Sequence, residues 1–311
     1  MRVFITGATG LVGSAVVAEL VGHGHEVVAL ARSDVSARAV EGLGAVPLAG
    51  ALSDLDALRR GAAESDGVIH LAFSNDFSSP AALERAIAEE TAGLEALGVA
   101  LTGSGRPLVA VSGTPIMPGR AATEADPVMT SGPVGGRGRA VMAVLELAGK
   151  GVRSSAVRLP RTVHQNGTGG FAGMLTERAR RTGIAGYPGD GAQRWPAVHV
   201  RDAAALFRLA LERAEAGTSW HAVADEGDAV RDIAAVIAEI GVPIDVVKID
   251  VEGAEYRILK RMIETGTIDR VGRVYVETHH DRIPELRPEY EAVAAAISER
   301  GLGGKIRLDW V

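Results

Sequence analysis

Val3-Phe-Ile-Thr-Gly-Ala-Thr-Gly-Leu-Val-Gly13 is the stretch that decides the fold. Val3 to Ile5 read as a buried parallel strand, and the glycines that follow, spaced three apart, break it into a turn. Gly7 permits the tight exit from the strand. Gly10 lets backbone approach a pyrophosphate, and Gly13 lets the next helix, Leu11 to Val21, lie close against the strand. Thr9, Gly10, Leu11 and Val12 thus line a phosphate cradle at which the helix start aims free N–H groups and partial positive charge. A glycine triplet alone carries little weight in a chain with 39 glycines. Its setting gives it meaning: a strand before, a helix after, and a second strand, Glu26-Val-Val-Ala-Leu-Ala31, at the right distance for a dinucleotide.

The residues after that second strand select the dinucleotide. They are Arg32 and Ser33, where an NAD-selective site places an Asp or Glu on the ribose hydroxyls. A guanidinium pairs bidentately with a 2′-phosphate and stacks on adenine, so the expected cofactor is NADP(H), with NAD as the alternative.

A chain of 311 residues accommodates one large α/β domain, or one domain with a small partner. At 47% hydrophobic and 23% charged residues, its composition is that of a globular protein. A net charge of −6 argues against a nucleic-acid surface, and no apolar run reaches the 18 or so residues of a membrane span. With a strand opening at residue 3 and no visible signal peptide, a cytoplasmic location is expected. Zero cysteines exclude disulfides, thiolate catalysis and Cys-based zinc sites.

Further along, helices are expected over 34–42, 54–63, with Asp54 as cap, and 81–97, strands over 45–48, 107–112 and 154–159, and over 67–73 a strand running into a loop at the carboxyl edge of the sheet. Another helix is expected to run through Lys150, and an amphipathic one from Asp202, as its cap, to Ala214. Such alternation means a doubly wound, Rossmann-like parallel sheet with right-handed crossovers. Thr168 to Gly173 and Tyr187 to Gly191 read as flexible loops beside a substrate cleft, where Trp195, His164 and His199 are read as packing and anchoring groups. His70 is read as a packed strand residue.

Gly7-x-x-Gly10-x-x-Gly13, His70-Leu-Ala72, Val111-Ser-Gly-Thr114, Val157-Arg-Leu-Pro160 and Val198-His-Val-Arg-Asp202 occur in this order. The set resembles the extended and atypical short-chain dehydrogenases/reductases of the epimerase/dehydratase branch, over about residues 1–242. The resemblance implies a small substrate lobe over the nicotinamide, with Leu71, Ala72, Phe73 and Ser112 lining the cofactor. Thr114 matches the family's catalytic Ser/Thr, and Pro160 falls near the nicotinamide amide. The family's Tyr and Lys, four residues apart, carry proton transfer, yet Pro133-Val-Gly-Gly-Arg-Gly-Arg-Ala140 contains neither. Arg137 or Arg139 can hold a ribose but cannot give up a proton near neutral pH. Ala51 replaces the Asp that contacts adenine, leaving the backbone around Leu52 for that contact.

From Ile244 the character changes. Asp245-Val-Val-Lys-Ile-Asp-Val-Glu-Gly-Ala-Glu-Tyr256, Arg273-Val-Tyr-Val-Glu-Thr-His-His280 and Ile306-Arg-Leu-Asp-Trp310 resemble the last part of FkbM-like, S-adenosylmethionine-dependent methyltransferases. Residues 243–311 are expected as a β-α-β-α-β segment: strands over 246–251, 271–277 and 305–310, helices over 255–264 and 288–300. The loop and acidic residue that hold the methyl donor in that family have no counterpart here. The segment either docks as a C-terminal lobe or is a fused fragment. No metal site is expected, because adjacent His279 and His280 on a strand point to opposite faces.

The leading expectation is thus an atypical NADP(H)-binding oxidoreductase of a small carbonyl or alcohol, able to self-associate. A catalytically silent dinucleotide sensor or scaffold is the alternative that the missing Tyr/Lys pair supports. A methyltransferase is disfavoured by the absent donor site.

Overall fold

A computed structural model describes residues 1–165, 168–240, 244–249 and 254–308. The chain divides into two compact units, Met1–Arg181 with Gly186–Ile233, and Thr182–Ala185 with Ala234–Val311.

The first unit begins with β1 (Arg2–Thr6), α1 (Leu11–Gly22), β2 (Glu26–Ala31), α2 (Asp34–Gly42), β3 (Val46–Ala49), α3 (Leu55–Ala63) and β4 (Gly67–His70). It continues through α4 (Pro80–Leu101), β5 (Pro107–Gly113), α5 (Gly135–Glu146), β6 (Arg153–Leu159), β7 (Thr162–His164), α6 (Gly170–Thr182), β8 (Arg194–His199), α7 (Val200–Arg213), β9 (Thr218–His221) and β10 (Asp225–Ala229), and α8 (Val230–Ile240) starts here and from Ala234 belongs to the second unit. Seven strands form one parallel sheet in the order β3-β2-β1-β4-β5-β6-β9. The direction of winding reverses between β1 and β4, and such a switch point opens a crevice at the carboxyl ends of the strands.

Strand alternation divides the core. Val3 and Ile5 face α1 and α7, against Val16, Leu20, Phe207 and Leu211. Phe4, between them, joins Leu58 of α3, Leu94 and Leu97 of α4 and Val144 of α5 on the other side. Asp54 caps α3 by accepting from Ala57 N–H at 3.0 Å. A capping box of Ser33 and Ser36 starts α2.

Three features differ from the sequence expectations. A second, three-stranded sheet, β10-β8-β7, builds the small lobe. Gly170 to Gly173, expected as loop, opens α6 instead. α7 begins at Val200 under an N-cap from His199, which puts Asp202 in the first turn rather than at the cap.

The second unit contains β11 (Ile244–Ile249), α9 (Glu255–Glu264), β12 (Val271–Val276), α10 (Arg287–Glu299) and β13 (Ile306–Arg307), with β11, β12 and β13 side by side and parallel. Its core is its own: Ile249, Leu259, Ile263, Val274, Val276, Val293, Ile297 and Ile306. Part of the expected first strand and its motif, Asp250 to Gly253, lies outside the described residues, as do Asp309 and Trp310 of the last strand and the junction residues Val242 and Pro243. No helix among the described residues is long and apolar enough to cross a membrane.

Candidate functional site

At the β1–α1 turn each glycine has its own reason to be there. Gly7 has φ +75°, and a Cβ on it would meet Ala72 N and Leu71 C at 2.8 Å. At Gly13 a Cβ would fall 2.0 Å from Gly7 O. Those two positions are dictated by packing within the chain. Gly10 is different, since a Cβ there would meet only Gly7 O, at 3.4 Å. It N-caps α1 without any side-chain bond, so the N–H groups of Leu11, Val12 and Gly13 face outward without intrahelical partners. An open backbone, a bare glycine and free amides at a helix start fit the pyrophosphate of a dinucleotide. The loop before α6 borders this turn, as a Cβ on Gly169 would lie 2.6 Å from Leu11 Cδ2.

Thr6 ties the turn to the end of β4. Its Oγ1 accepts from Leu71 and Ala72 N–H, both at 3.2 Å, and lies 3.0 Å from His70 Nδ1. With two N–H groups donating to it, the hydroxyl gives its own proton to Nδ1, leaving the His70 proton on Nε2. His70 is buried, and its Nε2 has no hydrogen-bond partner among the described residues. Burial, reinforced by the Arg137 guanidinium, pushes its pKa down to about 4. His70 is therefore a neutral, packed strand residue at ordinary pH.

Beyond β2, Arg32 is exposed and makes no hydrogen bond or ion pair among the described residues. Ser33 spends its hydroxyl on the cap of α2. Leu52 turns its side chain into the core beside Gly93, where a Cβ would lie 3.0 Å from Leu52 Cδ1.

The α5 window holds an ion pair that sequence reasoning missed. Arg137 Nε and Nη2 donate to the two carboxylate oxygens of Glu90 at 2.7 and 2.6 Å, and Glu90 is only 2% exposed. The same guanidinium lies 3.9 Å over the Phe73 ring. Arg139 donates to Thr130 O at 2.7 Å. Both arginines considered for a ribose are thus already committed to protein contacts. Glu90 and Arg137 are 47 residues apart, so no local pattern links them.

Thr114 follows β5, and its N–H donates to Leu159 O at 2.9 Å, which brings it beside Pro160 at the end of β6. From there a cleft of 660 Å³ opens, lined by Thr114, Arg120, Arg161, Arg194, His221 and Glu226 among others. Arg120 forks onto Asp126, and with Thr123 it holds that carboxyl well below the usual carboxylate range. His164 and His199 stand edge to face at 5.4 Å, and Trp195 packs on Phe171 at 5.6 Å. Tyr187, half exposed at the surface, is far in sequence from α5 and packs against Gly191.

In the second unit, polar side chains crowd the carboxyl ends of β11 and β12. Glu255 Oε1 lies 3.1 Å from His279 Nδ1, both groups being buried. Tyr256 OH accepts from the backbone N–H of His279 and of His280, at 3.1 Å each. The His280 ring stacks on Tyr290 at 3.7 Å. β12 ends at Val276, so the two adjacent histidines lie beyond the strand and not on it as expected, and it is their different ring partners, Glu255 and Tyr290, that separate them. Among the described residues no group of three or more His, Asp or Glu is placed to hold a metal.

Comparison with known proteins agrees with this geometry. Residues 3–224 match the model of the NAD dependent epimerase/dehydratase family, and residues 200–302 match the methyltransferase FkbM domain. The chain is 42% identical to "Uncharacterized protein C2A9.02" of Schizosaccharomyces pombe, over 78% of this chain and 82% of that one. It is 41% identical to "Uncharacterized protein YLL056C" of Saccharomyces cerevisiae, over 80% and 84%. Among solved structures, the UDP-glucose 4-epimerase of Thermus thermophilus, in complex with NAD, shares the fold at TM-score 0.62 and 23% identity, covering 77% of this chain and 83% of that one. A dTDP-glucose 4,6-dehydratase variant of Streptomyces venezuelae, with NAD and DAU bound, does so at 0.65 and 19%, covering 77% and 81%. A bare-backbone phosphate cradle at the switch point of a parallel sheet, beside a cleft that opens at Thr114, thus accompanies a family match over most of the chain: the protein belongs to the NAD dependent epimerase/dehydratase family, with an FkbM-like stretch towards its C-terminus.

Proposed function

We propose that this chain is an NADP(H)-dependent oxidoreductase acting on a small carbonyl or alcohol. The observation that carries this reading is the cleft at Thr114, which opens on the same sheet edge as the glycine turn. NADP(H), when bound, supplies or takes a hydride. For their part, the outward amides of Leu11, Val12 and Gly13 hold the pyrophosphate, and the exposed Arg32 pairs with the 2′-phosphate. Leu71, Ala72, Phe73, Ser112 and Pro160 border the nicotinamide end, the backbone of Thr9 and Leu52 completes the contacts, and the Thr114 hydroxyl orients the substrate oxygen.

No phenol or ammonium stands on α5, and general acid help typically contributes about 10²- to 10⁴-fold. Turnover on generic ketones and aldehydes is accordingly slow. NADPH oxidation across a panel of carbonyls, in the parent and in Thr114→Ala, tests the reading. Slow, saturable turnover that the substitution lowers supports it, and rapid turnover indifferent to Thr114 contradicts the assigned role. The locked Glu90–Arg137 pair favours one second reading, a dinucleotide-binding sensor without catalysis. Stoichiometric NADPH binding with no turnover on any carbonyl would select it.

A further inference from the structure

Ser112, Arg158 and His221 are successive register partners across β5, β6 and β9. Side chains in register on parallel strands leave on one face of the sheet. Here that is the α5 face, because Leu108 and Ala110, of the same parity as Ser112, pack with Ala140 and Val144 of α5. The segment between Thr114 and Asp126 straps this row down. Arg158 Nη1 donates to Asp126 O at 2.8 Å, and His221 N–H donates to Glu124 Oε1 at 3.2 Å. His221 thereby comes to border the same cleft as Thr114.

The ring's hydrogen bonding sets its tautomer. Arg158 Nη1 lies 3.4 Å from His221 Nε2, and a guanidinium can only donate, so Nε2 accepts and the ring proton sits on Nδ1. The charged groups facing the imidazole are Arg158 from β6 and Glu124 and Asp126 from the strap. Arg120, Arg161, Arg194 and Glu226 line the rest of the cleft. Burial lowers the His221 pKa most strongly and Arg158 adds to the fall, against the pull of the two carboxylates.

We propose that His221 presents Nδ1–H to the substrate oxygen beside Thr114, as a fixed hydrogen-bond donor that does not surrender its proton. This rests on the oxidoreductase reading above. A phenol on α5 would meet that oxygen from the same face of the sheet, but α5 offers none and its Arg137 is locked to Glu90. A neutral imidazole is a donor that stays put. It polarises a carbonyl and steadies the negative charge that develops on its oxygen as hydride arrives from the nicotinamide; water entering the open cleft then protonates the alkoxide, and loss of one such donor costs on the order of 10²-fold in rate.

The full chain, labelled with ¹⁵N-histidine and loaded with NADP⁺, is followed by long-range proton–nitrogen NMR at neutral pH. The expected result is a neutral His221 protonated at Nδ1, whose Nδ1–H signal moves downfield when cyclohexanone is added. As pH falls the imidazolium gains an Nε2–H and can no longer accept from Arg158, so the Nε2 signal changes from acceptor to donor on the acid side and not on the alkaline side, while Nδ1–H is retained. In NADPH-dependent cyclohexanone turnover, His221→Leu loses on the order of 10²-fold in kcat, while His221→Asn, whose amide N–H takes the place of Nδ1–H, stays within about ten-fold of the parent. An Nε2–H tautomer, an imidazolium at neutral pH, or an Nδ1–H signal indifferent to cyclohexanone would overturn the proposal. Failure of NADP⁺ to bind would instead contradict the oxidoreductase reading, and the tautomer and cyclohexanone response of the unloaded chain would still judge His221.

Discussion

Two parallel sheets in this molecule end in opposite ways. At the switch point of the seven-stranded sheet, Gly7, Gly10 and Gly13 leave bare backbone and three outward amides. At the described carboxyl edge of the three-stranded sheet, Glu255, Tyr256, His279 and His280 fill the space and bond to one another. A parallel sheet provides an edge where a ligand can sit, but what occupies that edge decides whether one does. The first edge offers bare backbone and a helix start polarised for phosphate. The second, among the described residues, is satisfied by its own side chains.

The contrast is sharpest at Glu90–Arg137, where the first unit too satisfies itself, at the place where the resemblance puts proton-transfer chemistry. Arg137→Met would leave a carboxylate that is 2% exposed without its partner, so unfolding in urea should show a loss of about 3 to 5 kcal/mol. A loss near zero would mean that the pair is not closed in solution.

Acid probes the same region through His70. In the unfolded chain this imidazole titrates near 6.5 and in the folded chain at about 4. The folded state therefore binds fewer protons between those values, and its stability, full above 6.5, declines as pH falls towards 4. The contribution is about 3 kcal/mol. Urea midpoints across that window should fall in the parent and fall less in His70→Asn.

Within the glycine turn, two substitutions of one methyl group separate packing from binding. Gly13→Ala drives a Cβ to 2.0 Å from Gly7 O and should cost about 1 to 3 kcal/mol of stability. Gly10→Ala meets nothing closer than 3.4 Å, so it should fold like the parent while weakening NADPH binding. Equal effects of the two on stability would remove the distinction between them.

Most of the frame was legible in the sequence because it is local. α2 over 34–42 and α9 over 255–264 follow from apolar spacing, and the glycine turn from a strand, a spacing and a helix. The small lobe's sheet was not legible. β10 reads Asp-Glu-Gly-Asp-Ala, without alternation, and exists because Gly227, at φ +93°, lets its backbone close on Trp195. Gly170 and Gly173 disguised the start of α6 as a loop. The row Ser112–Arg158–His221 and the pair Glu90–Arg137 join residues many tens of positions apart, and only strand order and helix packing bring them together.

The central claim is that the glycine edge takes NADP(H) and the edge filled by Glu255, Tyr256, His279 and His280 takes no methyl donor. Calorimetric titration of the full chain decides it, with NADPH, NADH and S-adenosylmethionine as ligands. The account predicts one-to-one binding of NADPH, tighter than NADH by about 1 to 3 kcal/mol, a gap that Arg32→Ala largely erases, and no saturable heat with S-adenosylmethionine. Equal affinities for the two nicotinamide dinucleotides, or a stoichiometric heat with the methyl donor, would contradict it.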